Sequence, residues 1–318
     1  MAPPRIPTID LSPFFHPDGG SQERKAEAVH AINQACLEYG FFQIINHGLP
    51  EELMTRALKL SEAFLNYPME EKLEAKPAGV GLGDRMPAGY AKQPDHSVDK
   101  NEYLLMLPPE LGLNVYPNSP PEFKDVLEQV FGNLVKTGLV VETILNECLD
   151  LPSNFLQECS PDRSWDLMVA LRYYPAEEEG ENGLIEHEDG NIFTFVFQDD
   201  AGGLEVLKGG EWIPVVPTPG SIIVNVSDIL QVWTNNIFKS ATHRVIRKKG
   251  RSRYSYAFFF NADGDQWIEP LLQFTSGRGE PPKYRGFYCK EYQQLRLRNK
   301  THPPSKPEDI VTIKHYAI

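Results

Sequence analysis

From Leu167 to Phe260 the chain reads as short strand-like runs cut by turn residues, and this pattern limits the fold more than any other feature. The runs are Leu167–Tyr174, Ile192–Gln198, Leu204–Leu207, Glu211–Val216, Ser221–Val226, Thr242–Arg247 and Tyr254–Phe260. Asp-Gly, Gly-Gly, Pro-Gly and Lys-Lys-Gly-Arg breaks lie between them. Many short strands at even spacing specify a barrel or a double sheet, because βαβ units would place helical periods between strands. In Ile192-Phe193-Thr194-Phe195-Val196-Phe197-Gln198 the three Phe fall on one face and Ile, Thr, Val and Gln on the other.

The flanks have a different period. Residues 1–150 read as a mainly helical region packed on the β core, 151–270 as the core itself, and 271–318 as a C-terminal helix and tail. Ser21 is placed to cap a helix running to Gly40, and Phe41-Phe42-Gln43-Ile44-Ile45 reads as a short buried strand. Asn46-His47-Gly48 is turn chemistry, and Pro50-Glu51-Glu52 opens a second helix. Pro77–Asp99 is rich in Gly and Pro and reads as a loop. A long helix is expected from Glu122 to about Leu149. Lys283–Lys300 reads as a helix with Tyr284, Phe287, Tyr288, Tyr292 and Leu295 on one side.

Composition narrows the function classes. Lys and Arg number 31 against 44 Asp and Glu, a net charge of −13. That balance disfavours a sequence-independent grip on nucleic acid or anionic lipid. There is no apolar run long enough to span a bilayer and no apolar segment of secretory type after Met1. The four cysteines, Cys36, Cys148, Cys159 and Cys289, form no CxxC motif and suit free thiols in a reducing compartment. The expectation is a cytoplasmic protein without membrane or nucleic-acid partners.

Three residues carry the chemistry. His187 and Asp189 lie two apart just before the Phe-rich strand, so in an extended segment both can aim at one target. His243 lies on a later strand. An HxD pair alone arises by chance in many chains, and a single strand His is commonly structural. Two imidazoles and one carboxylate on three corners of an octahedron nevertheless form a facial triad for Fe(II) that leaves positions open for O2 and a chelating co-substrate. Further along, Arg253-Tyr254-Ser255 opens an apolar strand, and Arg253 and Ser255 share a face. A guanidinium fork beside a hydroxyl is a receptor for a carboxylate.

With these residues in hand, the chain resembles the plant-type 2-oxoglutarate/Fe(II)-dependent dioxygenases, the family that includes isopenicillin N synthase and aminocyclopropane-carboxylate oxidase. The resemblance runs through Ile6-Pro7-Thr8-Ile9-Asp10-Leu11, Gly40 to Gly48, Tyr173-Tyr174-Pro175, His187-Glu188-Asp189 and Gln198 to Leu204. It continues through Val224 to Asp228, Lys239 to Val245 and Arg253-Tyr254-Ser255. It implies a mainly β fold with flanking helices, the double-stranded β-helix or jelly-roll. It also implies Fe(II) on His187, Asp189 and His243, with 2-oxoglutarate held by Arg253 and Ser255 and by Tyr174 as a further donor. O2 is then the oxidant, succinate and CO2 are released, and ascorbate keeps the iron reduced. Two positions depart from the family pattern: Arg172 stands where many members have Asn, and Ser227 where Gly is usual.

The resemblance implies a monomeric oxygenase of specialised metabolism that hydroxylates, desaturates or dealkylates a small, hormone-like substrate. Tyr103, Leu105 and Phe259 match substrate-contacting positions, although plain core packing explains such residues equally well. His47 reads as part of a structural turn, and Asn225 and Asp228 as scaffold. Two other readings use the same fold: a 2-oxoglutarate-independent Fe(II) oxidase, and a non-catalytic small-molecule-binding barrel. A protein or nucleic-acid demethylase on this barrel is a further class, against which the acidic balance counts.

Overall fold

The computed structural model describes residues 5–15, 21–77, 86–301 and 309–318. Its strands are β1 (Thr8–Asp10), β2 (Phe41–Ile45), β3 (Gly89–Lys92), β4 (Asn101–Met106), β5 (Leu167–Tyr173), β6 (Asn182–His187) and β7 (Phe193–Gln198). They continue with β8 (Leu204–Lys208), β9 (Glu211–Pro214), β10 (Ile222–Val226), β11 (His243–Ile246), β12 (Arg253–Phe260), β13 (Trp267–Ile268) and β14 (Phe287–Tyr288). The helices are α1 (Ser12–Phe15), α2 (Gln22–Glu38), α3 (Glu51–Leu65), α4 (Met69–Leu73), α5 (Phe123–Cys148), α6 (Phe155–Glu158), α7 (Asp228–Trp233) and α8 (Cys289–Thr301).

An eight-stranded sheet runs β1-β2-β10-β7-β12-β5-β4-β3, and a four-stranded sheet runs β6-β11-β8-β9. β5, β12, β7 and β10 of the large sheet and the four strands of the small one make the jelly-roll core. The polypeptide before residue 150 adds β1 to β4 to the large sheet, besides its helices.

Alternation along each strand divides the large sheet into two chemistries. Phe193, Phe195 and Phe197 of β7 lie on the outer face with Tyr256, Phe258 and Phe260 of β12, where they pack with Ile32, Phe64, Val130 and Leu134 of α2, α3 and α5. The Phe193 and Phe260 rings stack at 4.3 Å, and Phe131 of α5 meets Phe258 at 4.8 Å. Burying these rings removes the main aromatic surface of the chain from water, about 1.5–3 kcal/mol for each Phe-sized side chain. The inner face is organised in rows by strand register. Asn101, Tyr173 and Arg253 align, then Tyr103, Leu171, Ser255 and Gln198, then Leu105, Val169, Ala257 and Val196, then Leu167, Phe259, Thr194 and Asn225. One end of this face is polar and cationic, and its middle is apolar.

The helix start at Ser21 is as expected: its side chain accepts from the Arg24 amide at 3.4 Å. The long helix is also as expected, over Phe123–Cys148. Two segments differ from the sequence expectation. The Pro77–Asp99 stretch contains β3, which pairs with β4, while residues 78–85 lie outside the described residues. The helix expected over Lys283–Lys300 begins only at Cys289, because Phe287 and Tyr288 are extended and pair with Ile268 and Trp267. Phe287 is buried there while Tyr288 is 43% exposed, a strand alternation that no single helix face would give. The strands β1, β3, β4 and β6 were not distinguished by sequence pattern, being short or, like Asn101-Glu102 and Asn182, polar at one end. Among the described residues no helix is long and apolar enough to cross a membrane. All four cysteines are unpaired, and Cys36, Cys159 and Cys289 are buried.

Gly138 marks how closely α5 packs on the sheet. A Cβ there would sit 2.1 Å from Phe260 Cε1. Gly138→Ala improves intrinsic helix propensity by about 1 kcal/mol but forces overpacking that costs about 1–3 kcal/mol. The expected outcome is a lower Tm, measured by thermal unfolding; an unchanged or higher Tm would mean that α5 has room to shift.

Candidate active site

His187 ends β6 and His243 begins β11, and the antiparallel register sets the two directly opposite one another. Their ring centroids are 4.3 Å apart. Each Nδ1–H donates to the carbonyl two residues earlier, His187 to Ile185 at 2.9 Å and His243 to Ala241 at 2.8 Å. Those bonds fix the tautomer and leave both Nε2 lone pairs facing inward. Asp189, just past the end of β6, closes the group. Its Oδ1 lies 3.6 Å from His187 Nε2 and its Oδ2 3.9 Å from His243 Nε2. One ligand atom from each of the three falls within 4.8 Å of the others, and no other metal-competent group of this kind occurs among the described residues.

Donors from the inner sheet face orient the carboxylate. Thr194 Oγ1 donates to Asp189 Oδ2 at 2.7 Å and Asn225 Nδ2 at 2.9 Å. Burial alone would raise the Asp189 pKa, but His243, His187 and these two donors together hold it below the usual carboxylate range. Burial, with the neighbouring His243 charge next, pushes His187 well below the ordinary imidazole range. A charged carboxylate and a neutral imidazole are the protonation states that a divalent cation needs. The set of two nitrogens and one oxygen suits Fe(II). His187 keeps 26% of its side chain exposed, which leaves one side of the group open.

The polar end of the inner face holds Arg253, 2% exposed. Its Nη1 donates to Ser255 Oγ at 3.0 Å and its Nη2 to Gln198 Oε1 at 2.8 Å. The guanidinium lies over the Tyr173 ring at 4.9 Å, and Arg253 Nε has no partner. No carboxylate pairs with it among the described residues. Burial depresses its affinity for the proton. A buried cation in this state is stabilised by an anion arriving from outside the chain.

The structure brings Arg253 and Ser255 together but not Tyr174. Successive strand residues point to opposite faces, so Tyr173 reaches Arg253, while Tyr174 lies with the Arg172 guanidinium 5.3 Å over its ring. Arg172 itself faces the outer side. It donates to Glu102 Oε1 at 3.2 Å and to the Leu65 carbonyl at 2.9 Å, in a cluster where Lys72 lies 2.7 Å from Glu102 Oε2. The residue that departs from the family pattern therefore adds no charge to the inner face.

Tyr103, Leu105 and Phe259 do come together, in an apolar cluster with Leu107, Val169 and Leu171. Burial raises the Tyr103 pKa, and among the described residues its hydroxyl has no hydrogen-bond partner. His47 is structural: it is 2% exposed, its Nε2 is 2.9 Å from the Gly220 carbonyl, and its own carbonyl accepts from Thr137. Sequence reasoning missed Thr194 and Gln198 as site residues. Their signal was their place on the non-aromatic face of the Phe strand.

Residues 165–262 match the profile of the 2OG-Fe(II) oxygenase superfamily, and residues 6–117 match that of the non-haem dioxygenase in morphine synthesis N-terminal region. Jasmonate-induced oxygenase 1 of Arabidopsis thaliana is 34% identical over 306 residues, covering 94% of this chain and 73% of the relative. The chain belongs to the 2-oxoglutarate/Fe(II) oxygenase family. A 2-oxoglutarate-Fe(II) type oxidoreductase of Aspergillus fumigatus is 32% identical over 87% of this chain and 88% of its own length. Among solved structures, JOX2 in complex with 2OG, Fe and JA superposes with a TM-score of 0.80 at 28% identity, over 97% of this chain and 90% of that one. The dioxygenase for auxin oxidation of rice gives 0.78 at 25% identity, over 99% and 100%. This oxygenase is thus an oxidoreductase that uses Fe(II), 2-oxoglutarate and O2 on a jelly-roll core.

Thr194→Val removes one of the two side-chain donors to Asp189 Oδ2 at nearly constant volume. The expected outcome is about a tenfold or greater loss of Fe(II) affinity. The Asp189 pKa should rise toward its ordinary value, so acid should displace the metal at a higher pH than in the parent. Metal titration as a function of pH checks both; unchanged affinity and pH profile would show that Thr194 does not tune the carboxylate.

Proposed function

We propose that His187, Asp189 and His243 hold Fe(II) in this oxygenase, and that Arg253, Ser255, Gln198 and Tyr173 receive the distal carboxylate of 2-oxoglutarate. The observation that carries this reading is the buried Arg253, which pairs with no carboxylate among the described residues, on the same sheet face as the residues that hold Asp189. Thr194, bonded to Asp189, and Gln198, bonded to Arg253, lie four residues apart on β7, about 13 Å along the strand. A short diacid can bridge that span, with its keto-acid end at the metal and its far carboxylate on the guanidinium.

Fe(II), 2-oxoglutarate and O2 together supply a two-electron oxidation of the substrate, with release of succinate and CO2. The chain's own contribution is placement. Thr194 and Asn225 keep Asp189 turned to the metal position, and the two backbone-bonded imidazoles present Nε2 without reorganisation. Arg253 fixes one end of the co-substrate in a site closed to water, where a charge-assisted bond is strongest.

The substrate is a small, largely apolar molecule of hormone or specialised-metabolite type, and Tyr103, Leu105 and Phe259 contact it. Support comes from the apolar cluster that these residues form beside the Ser255 and Arg253 rows, and from relatives named for jasmonate and auxin. Tyr103 would offer its hydroxyl to one polar group of that molecule.

Anaerobic Fe(II) titration tests the assignment directly. A weak visible charge-transfer band should appear only when Fe(II) and 2-oxoglutarate are both present, and His243→Ala should abolish iron retention. Arg253→Ala should raise the 2-oxoglutarate requirement by at least about 30-fold, the equivalent of losing a buried charged hydrogen-bond partner. An unchanged requirement in that variant would remove Arg253 from the co-substrate site. For the substrate, Leu105→Arg should abolish substrate-stimulated succinate formation while leaving the iron-dependent band intact.

A further inference from the structure

The segment from Glu188 to Ile192 carries a metal ligand but belongs to no strand or helix. Its carbonyls therefore need partners from elsewhere. Asp189, Asn191 and Ile192 find theirs at the start of α7: the Asp228 amide donates to the Asp189 carbonyl at 2.9 Å, that of Ile229 to Asn191 at 3.0 Å, and that of Ser227 to Ile192 at 3.1 Å. The intervening carbonyls go to side chains of α8. Arg296 Nη2 donates to the Glu188 carbonyl, and Gln293 Nε2 donates to the Gly190 carbonyl at 2.7 Å. From Glu188 to Asn191, successive carbonyls are thus taken alternately by two helices, as the alternating directions of an extended backbone require.

Further contacts fix Arg296. Its Nη1 lies 3.4 Å from Asp228 Oδ2, and Asp228 is fully buried and also accepts from the Tyr292 hydroxyl at 2.5 Å. A Cβ on residue 190 would lie 3.0 Å from Arg296 Nε and 3.4 Å from Tyr292 Cε1, so glycine there admits the guanidinium. The Glu188 side chain extends the brace to the third ligand, since Thr242, the residue before His243, donates to its Oε1. α8 lies beyond both sequence segments that match the family profiles.

We propose that Arg296 and Gln293 are positioning residues for the metal centre, holding the Glu188–Gly190 backbone so that Asp189 meets His187 and His243. The inference rests on the ligand assignment above. Asp228 balances the charge of Arg296, so what the helix supplies is chiefly geometry.

The test is Mn(II) binding to the full-length apo-protein, read from the free-ion electron paramagnetic resonance signal, alongside Tm by circular dichroism. Arg296→Gln should weaken Mn(II) binding about 10- to 100-fold, the range seen when outer partners of metal ligands are removed. Arg296→Lys should recover part of that loss, because an ammonium keeps the charge but cannot span Asp228 and the Glu188 carbonyl as a fork does. Gln293→Leu, a neutral change, should weaken binding about tenfold. Lys290→Gln, on the same helix and paired with Asp265, should bind Mn(II) like the parent. A folded Arg296→Gln protein with lowered Tm but parental Mn(II) affinity would overturn the proposal. If that variant does not fold, parental affinity in Gln293→Leu overturns it instead. His243→Ala separates the two levels. Loss of Mn(II) there, with parental binding in the α8 variants, removes the positioning role and leaves the ligand set standing. Retention of Mn(II) in His243→Ala overturns both.

Discussion

The burial of Asp189 is the constraint on which the rest of the structure depends. A carboxylate 6% exposed inside a protein is stable only if surrounding charges and donors replace the water it has lost. Two imidazoles, one hydroxyl and one amide do so here, and they come from β6, β11, β7 and β10. No local segment could assemble that set. The two sheets must face one another before His187 and His243 are opposed, and β7 and β10 must pair before Thr194 and Asn225 reach the same oxygen.

The large sheet solves two problems with one backbone. Its outer face is a continuous aromatic surface for α2, α3 and α5, and this surface supplies the stability. Its inner face is released from that task and can hold polar groups at chosen rows. Arg253, Ser255, Gln198 and Tyr173 occupy one end, and Thr194 and Asn225 the other. Alternation lets an inner-face polar residue sit between two neighbours that are core: Tyr254 and Tyr256 flank Ser255 and bond toward Asn66 and Ser61. The cost of burying the Arg253 guanidinium, which pairs with no carboxylate among the described residues, is carried by this packing.

Much of this was legible along the chain. The run of short strands specified a barrel or a double sheet, the three Phe of β7 were legible as sharing one face, and the His187, Asp189 and His243 pattern pointed to iron; that helices pack on the Phe face came only from the structure. Arg253 and Ser255 were legible as neighbours on one face because they share a parity at the head of an apolar strand, and the structure joins them by a hydrogen bond. Tyr173 and Tyr174 were not separable in this way. Each is a tyrosine in the same motif, and only the pairing of Arg253 with Tyr173 decides which of them faces inward. The same limit hid the direction of Arg172, whose partners Glu102 and Leu65 are remote in sequence. It also hid the end of the last helix: Phe287 and Tyr288 become a strand because Trp267 and Ile268 lie alongside.

The sequence by itself determined the fold class, the ligand types and the chemistry they support, because side-chain identity and period-two spacing are local properties. Tertiary structure decided which tyrosine meets the guanidinium, that Thr194 and Asn225 grip the Asp189 carboxylate, and that a C-terminal helix takes up the Glu188 and Gly190 carbonyls. Those are matters of strand register and helix docking. One residue of slip turns every side chain to the other face, and the energy that forbids the slip is spread over the aromatic packing of the whole sheet.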